Sequence, residues 1–548
     1  MLVLLFLGSN LFGYAANEIT ASTVKVRMPD GIELLTDLYL PDTEKKLSVI
    51  LIRTPYNSKQ LVSIGKKFAS AEYAVVVQNV RGMSGSGGQF IPFVNEQKDG
   101  IETLNWISEQ SWSNGRVGIW GESYLAYAGL VLTPTNHPNY KTMVNISGMA
   151  DIEHFFFPGG AFHLMAQFPW FYLNMQRNKF PTPEVWDKLF RTTPEKDLFG
   201  GNVELMDMFK GIEGQHDKVS VPIFHISGWY DFVFPETLKA YSGIEKHGSV
   251  FQKIIVGPWY HDQVFMGKSV VGDLDFGPAA RRDFDELLDL SIRWFDRYLK
   301  GIDNGIEKEP RVSLFVMGKN EWRNFTKWPM GDGKTQKWYL SSKAGANSSE
   351  GDGTLSLQEA KSPGTDQFVF DPLDPVPTLG GDNFHYFRDN VGIKNQAEIE
   401  KRKDVLVYTS KPLADGLEII GPVKLVLYAS TEGADTDFTG KLVELRTDGY
   451  ARLIQEGIVR AQYRESRRKP MMLKPGKVYR FEINIGATAI NLHPGSRLRL
   501  EVSSSNFPKY DRNPNTGEDA FEAANLKEVK QTIYFSGEHP SHIVLPVR

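Results

Sequence analysis

Short, continuous apolar runs recur along the first half of the chain, and they constrain its fold more than any other feature. Each run has the length of a strand and is apolar on both faces, which is typical of parallel strands buried between two layers. The runs are Ser48–Arg53, Ala74–Asn79, Arg116–Trp120, Tyr140–Ser147, Val221–Ser227 and Phe251–Val256. Helical stretches such as Asp99–Gln110 lie between them. The alternation predicts a doubly wound α/β domain.

An aromatic-rich segment interrupts this alternation between Asp151 and Lys218. Its pattern is mostly helical, with turns at prolines, and it lies between two predicted strands of one sheet. We therefore expect a helical cap at 151–218, which divides the α/β domain into residues 17–150 and 219–301.

Runs of β type with little helical periodicity fill the remainder of the chain, from Arg311–Gly318 to His542–Val547. Many alternate apolar and polar residues, and Gly, Pro and Asp turns separate them. This pattern predicts an all-β sandwich, a jelly roll, at 302–548. A second core is also expected because single cores rarely grow past about 300 residues.

The N-terminal segment Met1–Ala16 is apolar at first and ends in small residues, as a secretory signal peptide does. No Lys or Arg precedes the apolar run, which departs from that pattern. The segment is also shorter than the roughly 20 apolar residues that a membrane-spanning helix needs. We expect a periplasmic or secreted protein without a membrane span. A cytoplasmic protein with a disordered N-terminus is the alternative.

Composition excludes several classes of protein and of active site. The 62 Lys and Arg residues against 66 Asp and Glu give a net charge of −4, whereas nucleic-acid-binding domains are usually basic. Cysteine is absent, so the chain has no thiolate nucleophile, disulfide or iron–sulfur cluster. No HExxH or similar metal-ligand spacing occurs. We expect no nucleic-acid partner, no metal and no cofactor, and a nucleophile that is oxygen or nitrogen.

A serine follows the run Arg116–Trp120 at the point where a strand is expected to turn into a helix. The sequence there is GESY, with Ser123 as its third residue. A serine on a sharp strand-to-helix turn with small neighbours forms the nucleophile elbow of acyl-transfer enzymes. The strict pattern has Gly two residues after the serine, whereas this chain has Leu125 there and Ala126 next.

Two later strands lead to the other residues that a serine nucleophile needs, a base and an orienting carboxylate. The run Val221–Ser227 leads to Asp231, and Phe251–Val256 leads to His261. The order Ser, acid, His, each after a strand, is the one expected for this architecture. Each residue alone has a plain structural explanation, but their common register favours a catalytic triad of Ser123, Asp231 and His261.

The tetrahedral intermediate of acyl transfer needs two hydrogen-bond donors for its oxyanion. The backbone N–H of Tyr124, the residue after the nucleophile, is the first predicted donor. The hydroxyl of Tyr56, in the loop after the third strand, is the second. A tyrosine that only packs on its neighbours is the alternative for Tyr56.

Several motifs together resemble the CocE/NonD hydrolases, the X-Pro dipeptidyl-peptidase-like group that includes cocaine esterase, α-amino acid ester hydrolases, glutaryl acylases and the S15 peptidases. The motifs are RTPY with Tyr56, VRGxxGSGG from Val80, GESY with Ser123, GWYD with Asp231, GPWYH with His261 and WFDRYLKG from Trp294. The resemblance implies an α/β-hydrolase core, a cap inserted after the sixth strand and a C-terminal jelly roll. It also implies Ser123 as nucleophile, His261 as base and Asp231 as orienter, with Tyr56 and Tyr124 holding the oxyanion.

Substrate preference follows less directly from the sequence. α-Amino acid ester hydrolases carry a Glu-Asp pair just after the triad Asp, whereas this chain has Phe232 to Phe234 there, so that specificity is not expected. An apolar pocket beneath the cap would suit a hydrophobic or aromatic acyl group. The predicted pocket residues are Trp120, Trp229, Phe232, Phe234 and Trp259.

The sequence thus predicts a serine hydrolase that cleaves a carboxylic ester or amide through an acyl-enzyme. An X-Pro dipeptidyl-peptidase is the alternative within the enzymes, and a catalytically dead carbohydrate- or surface-binding protein is the alternative outside them. The expected partner is a small-molecule or short-peptide substrate. The oligomeric state stays open, a homo-oligomer included.

Overall fold

The computed structural model describes residues 19, 21–175, 184–185, 211–248, 250–329, 333–343, 345–384, 390–520 and 522–548. The predicted signal peptide at 1–16 and much of the predicted cap after residue 175 lie outside the described residues, and both stay predictions. In the described part, no helix has the length and apolar character needed to cross a bilayer.

The first domain is built on one ten-stranded sheet with the order β1-β2-β4-β3-β5-β6-β7-β8-β11-β12, beside a small β9–β10 ribbon. The strands are β1 (Ala21–Arg27), β2 (Glu33–Tyr39), β3 (Leu47–Thr54), β4 (Ala74–Asn79), β5 (Ser113–Glu122), β6 (Tyr140–Ile146), β7 (Ile223–Tyr230), β8 (Gln252–Tyr260), β9 (Val270–Val271), β10 (Leu274–Asp275), β11 (Val312–Val316) and β12 (Glu321–Phe325). Strands β3 to β8 and β11 are parallel, and antiparallel strands form both edges. The predicted α/β fold is confirmed.

Helices cover both faces of this sheet. They are α1 (Val62–Ser70), α2 (Glu96–Ser108), α3 (Tyr124–Leu130), α4 (Ile152–Phe156), α5 (Leu164–Met175), α6 (Phe234–His247) and α7 (Phe284–Phe295). Apolar residues of α1 and α7 pack on one face, and those of α2, α3 and α6 pack on the other. Helices α4 and α5 follow β6 and precede β7, which is the predicted position of the cap.

The sheet continues past residue 302, where the sequence pattern places the start of the β-sandwich. The run Arg311–Gly318 contains β11, and β11 pairs in parallel with β8, Val312 lying opposite Ile254. The assignment of this run to the sandwich is therefore wrong. Its apolar residues identify a buried strand, but nothing in a five-residue strand specifies which of two sheets it joins.

The second domain is the predicted all-β jelly roll, and its fold class is confirmed. Its strands are β13 (Lys334–Ser341), β14 (Thr354–Ser356), β15 (Gly364–Phe370), β16 (Leu406–Thr409), β17 (Leu417–Thr431), β18 (Asp437–Leu445), β19 (Ala451–Arg460), β20 (Tyr479–Leu492), β21 (Arg497–Ser503), β22 (Val529–Phe535) and β23 (His542–Val547). One buried apolar cluster joins both domains, with Trp229 and Phe315 from the first and Leu425 and Ile485 from the second.

Candidate active site

The turn between β5 and α3 holds Ser123 in a strained conformation. Its φ is 55° and its ψ is −121°, in a region that non-glycine residues rarely adopt. The Ser123 N–H donates to the Ile146 carbonyl at 2.9 Å, which ties the turn to the end of β6. A serine on such a sharp turn projects its hydroxyl away from the strand and helix, so the geometry is that of the predicted elbow.

Gly121 provides the small residue that this strand-to-helix turn requires. A Cβ atom on Gly121 would lie 2.3 Å from the Leu125 carbonyl carbon, so only glycine lets β5 and α3 approach so closely. Leu125 itself lines the cavity in front of Ser123. Gly121, before the serine, is therefore the small residue that the close approach requires. Leu125, two residues after the serine, can be large because its side chain faces the cavity.

Asp231 and His261 come together at the ends of β7 and β8. His261 Nδ1 donates to Asp231 Oδ1 at 2.8 Å, and the Val233 N–H donates to the same oxygen at 2.8 Å. Both side chains are buried, and His261 lines the same cavity as Ser123. The structure thus brings the three predicted triad residues to one edge of the sheet, where parallel strands end.

Two serines complete the surroundings of Asp231. Ser147, directly after β6, donates a short hydrogen bond to Asp231 Oδ2, and Ser227 donates to the same oxygen at 3.3 Å. Ser147 has a φ of 50°, so it is held in the left-handed region. The sequence predictions missed Ser147. It lies at the end of a predicted parallel strand, and a position just after such a strand is the signal that indicated Asp231 as the triad acid.

The buried pair has opposite pKa shifts. Burial disfavours a charged imidazole at His261, but the Asp231 carboxylate outweighs burial and raises the pKa of His261 to about 9. Burial also disfavours the Asp231 carboxylate, but His261 and the donors around it lower the pKa of Asp231. The Asp231–His261 pair thus holds one proton, on the imidazole, more tightly than a free histidine does.

Tyr56 also lines the cavity in front of Ser123. Trp170 of α5 donates through Nε1 to the Tyr56 oxygen at 3.1 Å, which leaves the Tyr56 proton to be donated elsewhere. Burial raises the pKa of Tyr56 to about 12, so the hydroxyl keeps this proton. The loop that begins at Val80 supports the position, because the Ser84 hydroxyl donates to the Tyr56 carbonyl at 2.8 Å.

Tyr124 is the first residue of α3, so its backbone N–H is one of those that lack a partner within the helix. Its side chain points away from this role. The Tyr124 hydroxyl donates to Glu96 Oε1 at 2.6 Å and accepts from the Phe93 N–H at 2.9 Å. Only the main chain of Tyr124 is therefore available as the predicted oxyanion donor.

The residues that line the cavity in front of Ser123 fall into two groups, because most of them belong to one or the other of two apolar clusters. The first, which we call the cap arm, comprises Phe93, Tyr124, Met149, Phe155, Ala166, Gln167, Trp170, Phe232 and Phe384. The second, which we call the helix arm because α1 and α7 border it, comprises Leu61, Ile64, Trp120, Glu122, Leu125, Phe265 and Phe284. Tyr56, Ser123 and His261 complete the lining.

Two of the five predicted pocket residues, Trp120 and Phe232, line this cavity. Phe232 lies against the His261 ring, with centroids 4.6 Å apart. The other three do not line the cavity, because their side chains are buried in the protein core. Trp229 donates to the Phe315 carbonyl, Trp259 donates to the Ala280 carbonyl, and Phe234 packs on Trp229.

The sequence predictions missed several residues that line the cavity, among them the carboxyl of Glu122 and the aromatic side chains of Trp170 and Phe384. Glu122 precedes the nucleophile in the chain, and that adjacency was an available signal. Phe384 comes from the jelly roll and offered no signal.

Within the described ranges, no three His, Asp or Glu side chains come together as a metal site requires.

Comparisons with known proteins agree with this geometry. Residues 30–263 match the family model for the X-Pro dipeptidyl-peptidase (S15 family), and residues 304–544 match that for the X-Pro dipeptidyl-peptidase C-terminal non-catalytic domain. The chain is 33% identical to cocaine esterase of Rhodococcus sp. (strain MB1 Bresler), over 97% of this chain and 99% of the relative.

Solved structures share the whole architecture. An α-amino acid ester hydrolase superposes with a TM-score of 0.82 at 26% identity, covering 99% of this chain and 98% of that one. A CocE/NonD family hydrolase from Staphylococcus aureus superposes with a TM-score of 0.69 at 17% identity, covering 96% and 93%. The resemblance found in the motifs is confirmed, and the chain belongs to the S15 family as a serine hydrolase of the CocE/NonD group.

Proposed function

We propose that the protein hydrolyses carboxylic esters with a hydrophobic acyl group, through an acyl-enzyme on Ser123. The observation that carries this proposal is the meeting of Ser123, the His261–Asp231 pair and the Tyr56 hydroxyl at one apolar cavity. Cocaine esterase and the α-amino acid ester hydrolase are both named for ester substrates, which supports the same reaction type.

Each group has a role in the proposed reaction. The Ser123 hydroxyl attacks the ester carbonyl while His261 accepts its proton, and Asp231 orients the imidazole and stabilises its charge. The developing oxyanion accepts hydrogen bonds from the Tyr56 hydroxyl and the Tyr124 N–H. His261 then gives the proton to the leaving alcohol, and water hydrolyses the acyl-serine by the same steps.

The cap arm is the acyl site in this proposal. Its walls are aromatic, and Phe232 packs against both His261 and Phe384. An aromatic or branched aliphatic acyl group would bury its apolar surface there, at about 25 cal/mol per Å² removed from water.

Replacing the nucleophile tests the proposal. We expect Ser123→Ala to lower kcat for p-nitrophenyl butyrate at least about 10⁴-fold, because no other group can form the acyl-enzyme. A fluorophosphonate should label the wild type on Ser123 and leave the variant unlabelled. Turnover that survives in Ser123→Ala would contradict the assignment. An unlabelled, inactive wild type would instead favour a binding protein with a dead hydrolase fold.

An X-Pro dipeptidyl-peptidase is the second candidate, because the family model that matches residues 30–263 bears that description. The two activities differ in the bond cleaved and in the acyl group. Comparing kcat/KM for an Ala-Pro anilide with that for acetate and butyrate esters separates them. A higher value for the anilide would favour the peptidase.

A further inference from the structure

Among the residues that the structure describes, one oxygen of a carboxyl group in the helix arm has no hydrogen-bond partner. Glu122 is the last residue of β5 and lines the cavity beside Ser123. Side chains two residues apart on a strand share a face, so Glu122 lies on the side of Trp120, which packs with α1 and α7. Glu122 Oε1 is buried and has no hydrogen-bond partner among the described residues. That oxygen is available to a ligand.

The other walls of the helix arm suit an organic cation. Trp120, Phe265 and Phe284 contribute aromatic rings, and the rings of Phe265 and Phe284 lie 5.6 Å apart. Among the described residues that line the cavity, Glu122 is the only acid and none is Lys or Arg. Aromatic faces attract ammonium groups, most strongly where water is excluded.

We propose that the helix arm binds an ammonium group in the alcohol part of the ester and that Glu122 recognises this group. The inference rests on the proposed function, which assigns the acyl group to the cap arm and so leaves the helix arm to the alcohol. His261 begins the short turn His261–Phe265, whose last residue lines the helix arm. The group that protonates the leaving alcohol is therefore beside this arm.

The pKa of Glu122 is consistent with a site that binds a cation. Burial raises the pKa of Glu122 well above its usual range, Asp262 and Asp231 raise it further, and His261 opposes them. Ionisation of this carboxyl is therefore costly in the absence of a nearby cation. A cation within about 4–6 Å favours the ionised form, so a bound ammonium would add to the effect of His261 and favour the charged carboxylate.

A pair of isosteric substrates tests the inference. Butyrylcholine and 3,3-dimethylbutyl butyrate have the same shape and differ in one charged atom. We expect kcat/KM of the wild type for the choline ester to exceed that for the neutral ester at least about tenfold. Glu122→Gln should bring the ratio to about one. Asp262→Asn is the matched control, because it removes a neighbouring carboxylate that does not line the cavity, and the ratio should persist.

A second measurement needs no variant. Choline should inhibit hydrolysis of p-nitrophenyl butyrate competitively at lower concentration than 3,3-dimethylbutanol does. The inference would be overturned by equal inhibition by the two alcohols or by a wild-type ratio near one. It would also be overturned if the ratio were unchanged in Glu122→Gln or fell equally in Asp262→Asn. None of these results would contradict ester hydrolysis itself. A wild type that hydrolyses no ester would contradict the proposed function instead.

Discussion

At the scale of single residues, the surroundings of Asp231 show how the site is kept in one geometry. A buried carboxylate is stable only when its oxygens are hydrogen-bonded. In this site, Oδ1 accepts from His261 and the Val233 N–H, and Oδ2 accepts from Ser147 and Ser227. With every lone-pair direction used, Asp231 has one orientation and imposes it on His261.

Removing the Ser147 hydroxyl should therefore weaken catalysis. We expect Ser147→Gly to lower kcat about tenfold, since a hydrogen bond to a charged group contributes about 1.5–3 kcal/mol. Glycine adopts the φ of 50° at this position without strain, so the change isolates the hydroxyl. Ser227→Ala, which removes the longer contact of 3.3 Å, should cost less.

The pH profile distinguishes positioning from a merely structural role. Without Ser147 the Asp231 charge is less stabilised by hydrogen bonds, so it attracts the His261 proton more strongly. The acid limb of kcat/KM should then move to higher pH in Ser147→Gly. An unchanged kcat together with an unchanged limb would contradict a positioning role.

The wild-type profile follows from the His261 pKa. Only neutral imidazole can accept the Ser123 proton, and the pKa of His261 is raised to about 9 by Asp231. Activity should therefore rise as pH increases through 7 and toward 9, with an apparent pKa above the ordinary value of about 6.5. We would measure kcat/KM for a neutral ester from pH 5 to pH 10, with a substrate that does not itself titrate. A kcat/KM that does not change above pH 6 would contradict the assignment of His261 as the base with a raised pKa.

At the scale of elements, the contact between β5 and α3 determines the position of Ser123, the proposed nucleophile. Gly121→Ala would place a Cβ 2.3 Å from the Leu125 carbonyl carbon, which is a backbone atom of α3 and cannot move aside as a flexible side chain could. Overpacking of this kind costs about 1–3 kcal/mol and displaces the turn that carries Ser123. We expect a lower Tm and loss of fluorophosphonate labelling together.

Gly345→Ala is the matched control for this substitution, because the atom nearest to its new Cβ would be Asp352 Oδ1, at the ordinary contact distance of 3.4 Å. Gly345→Ala should leave the Tm and the fluorophosphonate labelling close to those of the wild type. A Gly121→Ala variant that kept full labelling would show that the turn does not depend on this close approach.

At the scale of the whole molecule, a buried ion cluster joins the jelly roll to the cap. Arg460 of β19 pairs with Asp437 and with Asp511, at N–O distances of 2.8–2.9 Å. Asp511 also accepts from the N–H of Phe162, just before α5, at 2.9 Å. The helix that carries Trp170, and through it the Tyr56 hydroxyl, is thus positioned from the second domain.

Arg460→Met should destabilise the protein by about 3–5 kcal/mol, because it leaves two buried carboxylates without a cation. The measurement is the midpoint of urea unfolding, with ester turnover followed in parallel. Arg480→Met is the control, since Arg480 pairs with Glu482 on the surface, where such pairs contribute at most about 1 kcal/mol. A loss below 1 kcal/mol for Arg460→Met would contradict the structural importance of the cluster.

The sequence by itself determined what local patterns encode. Strand and helix periodicity specified an α/β domain, an inserted cap and a jelly roll, and strand ends identified Ser123, Asp231 and His261. These features are visible because a strand end places a residue at the sheet edge whatever surrounds it. The same reasoning could not separate Trp229 and Phe234, which face the core, from Phe232, which faces the cavity.

Only the tertiary structure decided which residues far apart in the chain share the cavity. Phe384 reaches it from the jelly roll, Trp170 reaches Tyr56 from the cap, and β11 joins the first sheet although it follows the predicted boundary. The Oε1 atom of Glu122, which has no hydrogen-bond partner among the described residues, is of the same kind, because a missing partner is a property of the assembled site. Contacts of this sort depend on how layers pack, and packing is set by side chains hundreds of residues apart rather than by local pattern.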